Sequence, residues 1–263
     1  MFSVVIPLYN KELSVRNTIN SVLDQAFKEF EIVIVNDGST DNSLEIVQQF
    51  KDDRIRIIDK PNGGVSSARN RGIKEANYEW IAFLDADDLW EDNHLQVLND
   101  MIVDYRQYKV FCTSYIRSNQ NLPQDQDNKV VVIEDYFKEA IKNHFFWTSV
   151  TCIHNTVFQD VGDFNIHLNR GEDLELWTRI GRKYSFVQSK VVTAIYRVDA
   201  ENRSDIINYN IKKSFLSTID VRKIQSLSEE EYLKVLLNNS FKRFLKKRDL
   251  KNSIFILKKI LRT

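Results

Sequence analysis

Two cysteines, four histidines and the lack of any long apolar run set the first limits on this 263-residue chain. Cys112 and Cys152 lie far apart and form no C-x-x-C pair. A zinc knuckle and a disulfide framework are therefore excluded, and a reducing cytosol is the expected setting. Histidines 94, 144, 154 and 167 show no ligand spacing and read as structural. No Ser-His-Asp constellation can be built from them. The stretch "FFWTSVTCI" is too short and too polar to span a bilayer, which needs about 20 apolar residues. The start "MFSVVIPLYN" has no basic segment ahead of its apolar run and reads as a strand, so no signal peptide is expected. Neither G-x-x-x-x-G-K-[ST] nor G-x-G-x-x-G occurs, which withdraws support from P-loop hydrolysis and Rossmann hydride transfer. Net charge is absent too, with 37 basic against 37 acidic side chains. The balance is uneven along the chain: residues 242–263 hold nine Lys or Arg against the single acid Asp249. No RNA- or DNA-binding motif accompanies that basic tail, so nucleic acid is not an expected partner.

What is present is a rhythm. Hydrophobic residues make up 43% of the chain, enough for a full core in one or two domains. "SVVIP" (3–7), "EIVIV" (31–35), "RIRII" (54–58) and "WIAFL" (80–84) read as strands. Helical spacing fills the gaps at 12–27, around Leu44, Val47 and Phe50, and at 66–76. Strand alternating with helix predicts a parallel sheet covered on both faces. From about residue 106 the rhythm changes. Strands are expected at "YKVFCTSY", "KVVVI" and "KVVTAIYRV", helices at 134–144 and 171–181, and a surface loop at 118–129. Beyond about 205 the chain reads as helical. The expected division is an α/β half at 1–105, a second half of the same domain at 106–204, and a helical extension at 205–263.

In parallel sheets ligands bind beyond the carboxyl ends of the strands. Tyr9, Asp37, Asp85 and Asp87 follow strands one, two and four, so the conspicuous polar residues fall at that rim. "FLDADD" crowds three carboxylates into four positions at a strand tip, an arrangement suited to one hard cation. The same acids also suit a solvated turn, with Asp88 capping a helix that begins near Leu89. Asp37 suits a base or sugar donor, or a turn with Gly38 ahead of a helix capped by Ser39 or Thr40. In "PNGGVSSARNRG" the glycines allow close backbone approach and Arg69 suits phosphate oxygens, although taken alone the stretch reads better as a turn plus a surface arginine. Glu172 and Asp173 complement a helix dipole in the first turn, or one of them serves as a general base.

Together "VVIPLYN", "EIVIVNDGSTDNS", "NGGVSSARNRGI", "FLDADD" and "GEDLELW" resemble the family 2 glycosyltransferases of the GT-A fold, in order and approximate spacing across residues 3 to about 197. The resemblance implies a mixed, mainly parallel sheet flanked by helices. It also implies a nucleotide-diphosphate-sugar donor, usually a UDP-sugar, divalent Mn²⁺ or Mg²⁺, and inversion at the anomeric carbon. Pro7, Tyr9 and Asp37 match nucleobase positions, and Arg69 a position near base and diphosphate. Asp85 matches a ribose contact with Ala86 beside it, and Asp87 the metal ligand. Asp173 matches the catalytic base, with Glu172 and Trp177 expected near donor or acceptor sugar. Some members add a histidine ligand after the base. Here "IYRVDAENRSD" has none, so coordination leans on water or on Asp199.

The resulting expectation is transfer to a glycan or lipid-linked glycan in bacterial surface polysaccharide synthesis. Two other readings stand beside it. One is a nucleotidyltransferase, which would want a Gly-rich loop after strand one that "PLYNKELS" lacks. The other is a non-catalytic nucleotide- or carbohydrate-binding protein on the same scaffold. The tail, with Phe241, Phe244, Leu245, Ile254, Leu257, Ile260 and Leu261 among its lysines, reads either as a helix packed on the body or as a peripheral contact at the inner face of the membrane.

Overall fold

The computed structural model describes residues 1–123, 127–143, 145–202 and 210–261. His144, part of the polar loop and the boundary drawn at 204/205 lie outside them. The first half alternates β1 (Phe2–Leu8), α1 (Val15–Leu23), β2 (Phe30–Asn36), α2 (Ser43–Gln48), β3 (Ile55–Asp59), α3 (Val65–Glu75) and β4 (Trp80–Phe83). β5 (Leu89–Trp90), α4 (His94–Asp104), β6 (Val110–Arg117), β7 (Val130–Ile133) and α5 (Tyr136–Lys142) follow. Then come β8 (Thr151–His154), α6 (Asn155–Val161), α7 (Glu172–Gly181) and β9 (Phe186–Tyr196). The C-terminal part is helical: α8 (Phe215–Thr218), α9 (Leu227–Lys246) and α10 (Leu250–Ile260), with short 3₁₀ turns between them.

Among the described residues the strands form one sheet in the order β3-β2-β1-β4-β8-β6-β9-β5, with β7 pairing antiparallel with Phe186–Ser189 of β9. β3, β2, β1 and β4 are mutually parallel. β8 runs antiparallel to both β4 and β6, which is what makes the sheet mixed. Every residue of β1 and β2 is buried, as two-sided coverage by helices requires. α3 lies close enough to β1 that a methyl at Gly72 would overlap the Val5 side chain. That contact explains a helix-weakening glycine in the middle of α3.

Pro7 sits in a central strand, where a missing N–H normally breaks a ladder. The carbonyl of its neighbour Leu8 accepts from Asp37 of the β2 side, so the Pro7 nitrogen faces β4. β4 has already ended at Phe83 opposite Val5, so Pro7 has no ladder partner on that side.

Two expectations need correction. No helix begins near Leu89: Leu89 and Trp90 form a short strand paired with Ile195 and Ala194 of β9. The next helix, α4, begins at His94 after Asn93. Asp88 is therefore no cap. It is buried, accepting from Ser149 Oγ at 2.6 Å, Trp147 Nε1 at 3.3 Å and the Arg197 amide at 3.1 Å. It pins the rim to β9. His94 stacks on Trp90 with ring centroids 4.0 Å apart and meets Thr193 Oγ1 at 2.7 Å, a structural role.

Candidate active site

β1 and β4 are neighbours, while β2 lies on the far side of β1, so the chain reverses direction across the sheet between β1 and β4. That switch point opens a crevice at the strand tips. A cavity of about 740 Å³ occupies it. Register aligns Leu8 with Asn36, and Asn36 with Asp59, so the residues following three strands arrive side by side.

Asp37 is 2% exposed. Its carboxylate accepts the amides of Gly63 at 3.0 Å and Gly64 at 2.7 Å and pairs with Lys60, the residue after β3. The two glycines thus bring backbone to Asp37, closing the turn between β3 and α3 onto the tip of β2. Pro7, Asp37 and Ala86 all border the cavity, and Tyr9 stands at its mouth, 41% exposed.

Four carboxylates form the cavity's acidic side. Asp85 and Asp87 come from the tip of β4; Glu172 and Asp173 come from the first turn of α7. Gly171 precedes that helix with φ +69, a conformation L side chains rarely adopt, and turns the chain so that the first turn faces the rim. Arg69 of α3 joins the two walls. Its guanidinium, 4% exposed, donates to Asp85 Oδ1 at 2.7 Å and to Glu172 Oε1 at 3.1 Å. Burial opposes its charge, but the Asp85 and Glu172 carboxylates outweigh burial and hold it firmly protonated.

Lys11 supplies the second cation. Its Nζ lies 2.6 Å from Asp87 Oδ2 and 2.5 Å from the Glu201 carbonyl oxygen. The Glu201 carboxylate in turn accepts from Leu13 N at 3.1 Å and Ser14 Oγ at 2.5 Å, tying the segment after β9 to the loop after β1. Burial pushes the Asp87 carboxyl upward, Lys11 pulls it back, and Asp85 adds to the rise. Burial and then the Asp85 and Asp87 charges push Asp88 up to about 8. Burial raises Glu172, and Asp173 adds to it while Arg69 opposes. Asp173 is raised by burial and lowered in part by Arg69 and by the Leu174 amide, which donates to Asp173 Oδ1 at 2.7 Å. The lining carboxylates, with Asp37, number five against the four cations Lys11, Arg69, Arg170 and Arg243, so the cavity keeps a small surplus of negative charge.

The donor set fits one kind of metal. Among the described residues no three His, Cys, Asp or Glu side chains converge as a preformed cage. A hard cation held by one or two carboxylates, with substrate phosphates and water completing it, needs no such cage. Asp87 at the cavity wall could take that role, although its Oδ2 is paired with Lys11 Nζ at 2.6 Å, a contact that a bound cation would have to share or replace. Asp199 is not part of the wall. Its carboxylate is 68% exposed and accepts from Ser118 Oγ at 3.1 Å. Trp177 also departs from expectation. It has no exposed surface and packs edge-on against Phe146 and Phe164 in the core, where no sugar reaches it.

Three features were not foreseen from the sequence. Lys11 and Lys60 are the counter-charges of Asp87 and Asp37, signalled only by their places just beyond β1 and β3. Leu236, Ser240 and Arg243 of α9 line the cavity, so the C-terminal helices help to build it.

The mixed, mainly parallel sheet with a crevice at its switch point is an α/β fold of the GT-A type. The chain belongs to glycosyl transferase family 2, whose family model matches residues 3–162. It is 35% identical over 156 residues to the uncharacterized glycosyltransferase EpsJ of Bacillus subtilis, covering 56% of this chain and 45% of that protein. It is 25% identical over 252 residues to chondroitin synthase of Pasteurella multocida, covering 87% of this chain and 25% of that one. The chain spans less than half the length of these curated relatives. The fold matches that of S. aureus TarS in complex with UDP-GlcNAc, with a TM-score of 0.73 at 20% identity over 92% of this chain and 72% of that chain. The family match ends before α7, so the role of Asp173 has to be argued from geometry.

Proposed function

We propose that this protein is an inverting glycosyltransferase that moves a sugar from a nucleotide-diphosphate donor, a UDP-sugar, to a glycan or lipid-linked glycan in surface polysaccharide synthesis. One observation carries the reading: Arg69 bridges Asp85 on the strand-tip wall and Glu172 on the α7 wall, so Asp87 and Asp173 face one cavity from two sides. The likeness to TarS, solved with UDP and with UDP-GlcNAc, supports a uridine donor. Residues 1–105 would hold the donor and 106–204 the acceptor.

In this reading the base lies over Tyr9 with Pro7 beneath, Asp37 accepts from its edge, and Asp85 with Ala86 borders the ribose. Asp87 would hold a divalent Mn²⁺ or Mg²⁺, which when bound would supply positive charge to offset that growing on the diphosphate leaving group. Asp173 takes the proton from the acceptor hydroxyl. That oxygen bonds to C1 as the C1–O bond to the diphosphate breaks, and the electron pair departs with the nucleoside diphosphate. Attack opposite the leaving group inverts the centre without a covalent intermediate. Glu172, held by Arg69, keeps the first turn of α7 aimed at the cavity.

The base works only when ionised. Burial raises the Asp173 carboxyl above the ordinary carboxylate value near ~4. Activity should therefore fall on acidification at a pH above that value, as the base gains its proton. A pH profile of kcat/KM with UDP-GlcNAc as donor and a panel of glycan acceptors tests this. Transfer with an acid limb above pH ~4 supports the reading. Rates that do not depend on pH through the acid range contradict Asp173 as base.

A further inference from the structure

The tail packs on the body as a helical hairpin and leaves a row of apolar side chains exposed. Asp249 caps α10 by accepting the Asn252 amide at 3.1 Å, after a turn at Arg248 with φ +56. One face of α10 buries Ser253 and Ile256. Lys259 Nζ donates to the carbonyl oxygens of Ser217 at 2.9 Å and Ile219 at 2.6 Å, fixing the helix to the body. Beside the buried face, roughly 100° round the helix by the 3.6-residue turn, lie Leu250, Ile254, Leu257 and, at the C-cap, Leu261. Their spacing of four, three and four residues stacks them along one side of the helix. They are 67%, 54%, 40% and 78% exposed, and Leu245 at the end of α9 is 46% exposed. Single exposed leucines are ordinary, but an unbroken aliphatic stripe along a whole helix marks a contact surface.

The charge around the stripe selects its occupant. Lys251 and Lys258 flank it on α10, and Lys246, Lys247 and Arg248 crowd the hairpin tip, all exposed. Aliphatic side chains with cationic groups along one flank and at one end match a bilayer whose headgroups are anionic. We propose that the α9–α10 hairpin docks this protein on an anionic phospholipid bilayer, the aliphatic stripe entering the headgroup boundary and the lysines meeting phosphate. Because Leu236, Ser240 and Arg243 of the same hairpin line the cavity, docking would set the acceptor end of the site beside the membrane. The docking stands on the hairpin alone; only this last consequence rests on the transferase reading.

Removing the tail is a poor test, since Phe244 and Ile256 are core residues. Exposed-face variants of the full chain serve better. Flotation would use vesicles of phosphatidylcholine alone or mixed with phosphatidylglycerol. The wild type should float at least ~10-fold more on the mixed vesicles and be released by salt as screening shortens the reach of the lysines. Leu250→Ser/Ile254→Ser/Leu257→Ser and Lys246→Glu/Lys247→Glu/Lys251→Glu should each lose that binding, with melting temperature and UDP binding unchanged. Equal flotation on both vesicle types, none on either, or full binding by either triple variant would overturn the proposal. So would light scattering showing a wild-type dimer that the serine variant makes monomeric, which would assign the stripe to a second copy. Failure of UDP binding in all proteins would count against the transferase reading and leave the vesicle result standing.

Discussion

Asp173→Asn is expected to lower kcat for sugar transfer by about 10³-fold, within the ~10²–10⁴ range of general-base catalysis. Asparagine keeps the size of the side chain and can still accept the Leu174 amide through its oxygen. It cannot take a proton from a hydroxyl. Affinity for UDP should stay within about twofold, because binding of the nucleotide is assigned to the strand tips and not to α7. Loss of kcat with an unchanged nucleotide Kd separates a base from a residue that merely shapes the cavity. Retention of more than about a tenth of the wild-type kcat would show that the proton leaves by another route.

Arg69→Ala should be the most destabilising single change at the site. Removing one partner of a buried ion pair costs on the order of 3–5 kcal/mol, because the other partner stays buried and charged. Here two partners, Asp85 and Glu172, lose it at once. Urea melts at neutral pH should show a loss of that size. The pH dependence gives a second signature. Without the guanidinium the Glu172 and Asp173 carboxyls, already raised by burial, rise further above their unfolded values, so the folded state binds protons more tightly. Stability lost at neutral pH should then return as pH falls through the raised values. Arg69→Lys retains charge but not the fork that spans two carboxylates, and should fall between. A loss below about 1 kcal/mol in Arg69→Ala would mean that the two walls are held by other contacts.

The strand tips could be read from the sequence because their signal is local. Three β-strands, ending in Leu8, Asn36 and Phe83, carry apolar runs of four or more residues, while β3 is interrupted by Arg56, and the polar residues after those runs mark the rim. Counting then locates Tyr9, Asp37, Asp85 and Asp87 without knowledge of the packing. What stayed hidden is pairing between distant segments. The two-residue β5 is too short for any period and exists only because β9 lies beside it. Lys11 meets Asp87 across 76 positions, and nothing in "YNKEL" names its partner. Trp177 had the helical spacing of a core residue and the motif position of a sugar contact; packing against Phe146 and Phe164 decided for the core. The tail was ambiguous because an amphipathic pattern records a helix with an apolar side, and α10 has one apolar face turned in and another turned out.

The central claim is that Asp87 belongs to a cation and, through it, to a diphosphate. Calorimetric titration of UDP with and without Mn²⁺, on the wild type and on Asp87→Ala, tests it directly. UDP should bind the wild type at least ~10-fold more tightly when Mn²⁺ is present, and Asp87→Ala should lose that increment alone. Equal UDP affinity with and without Mn²⁺ and Mg²⁺ in the wild type, or a metal effect that survives in Asp87→Ala, would contradict it.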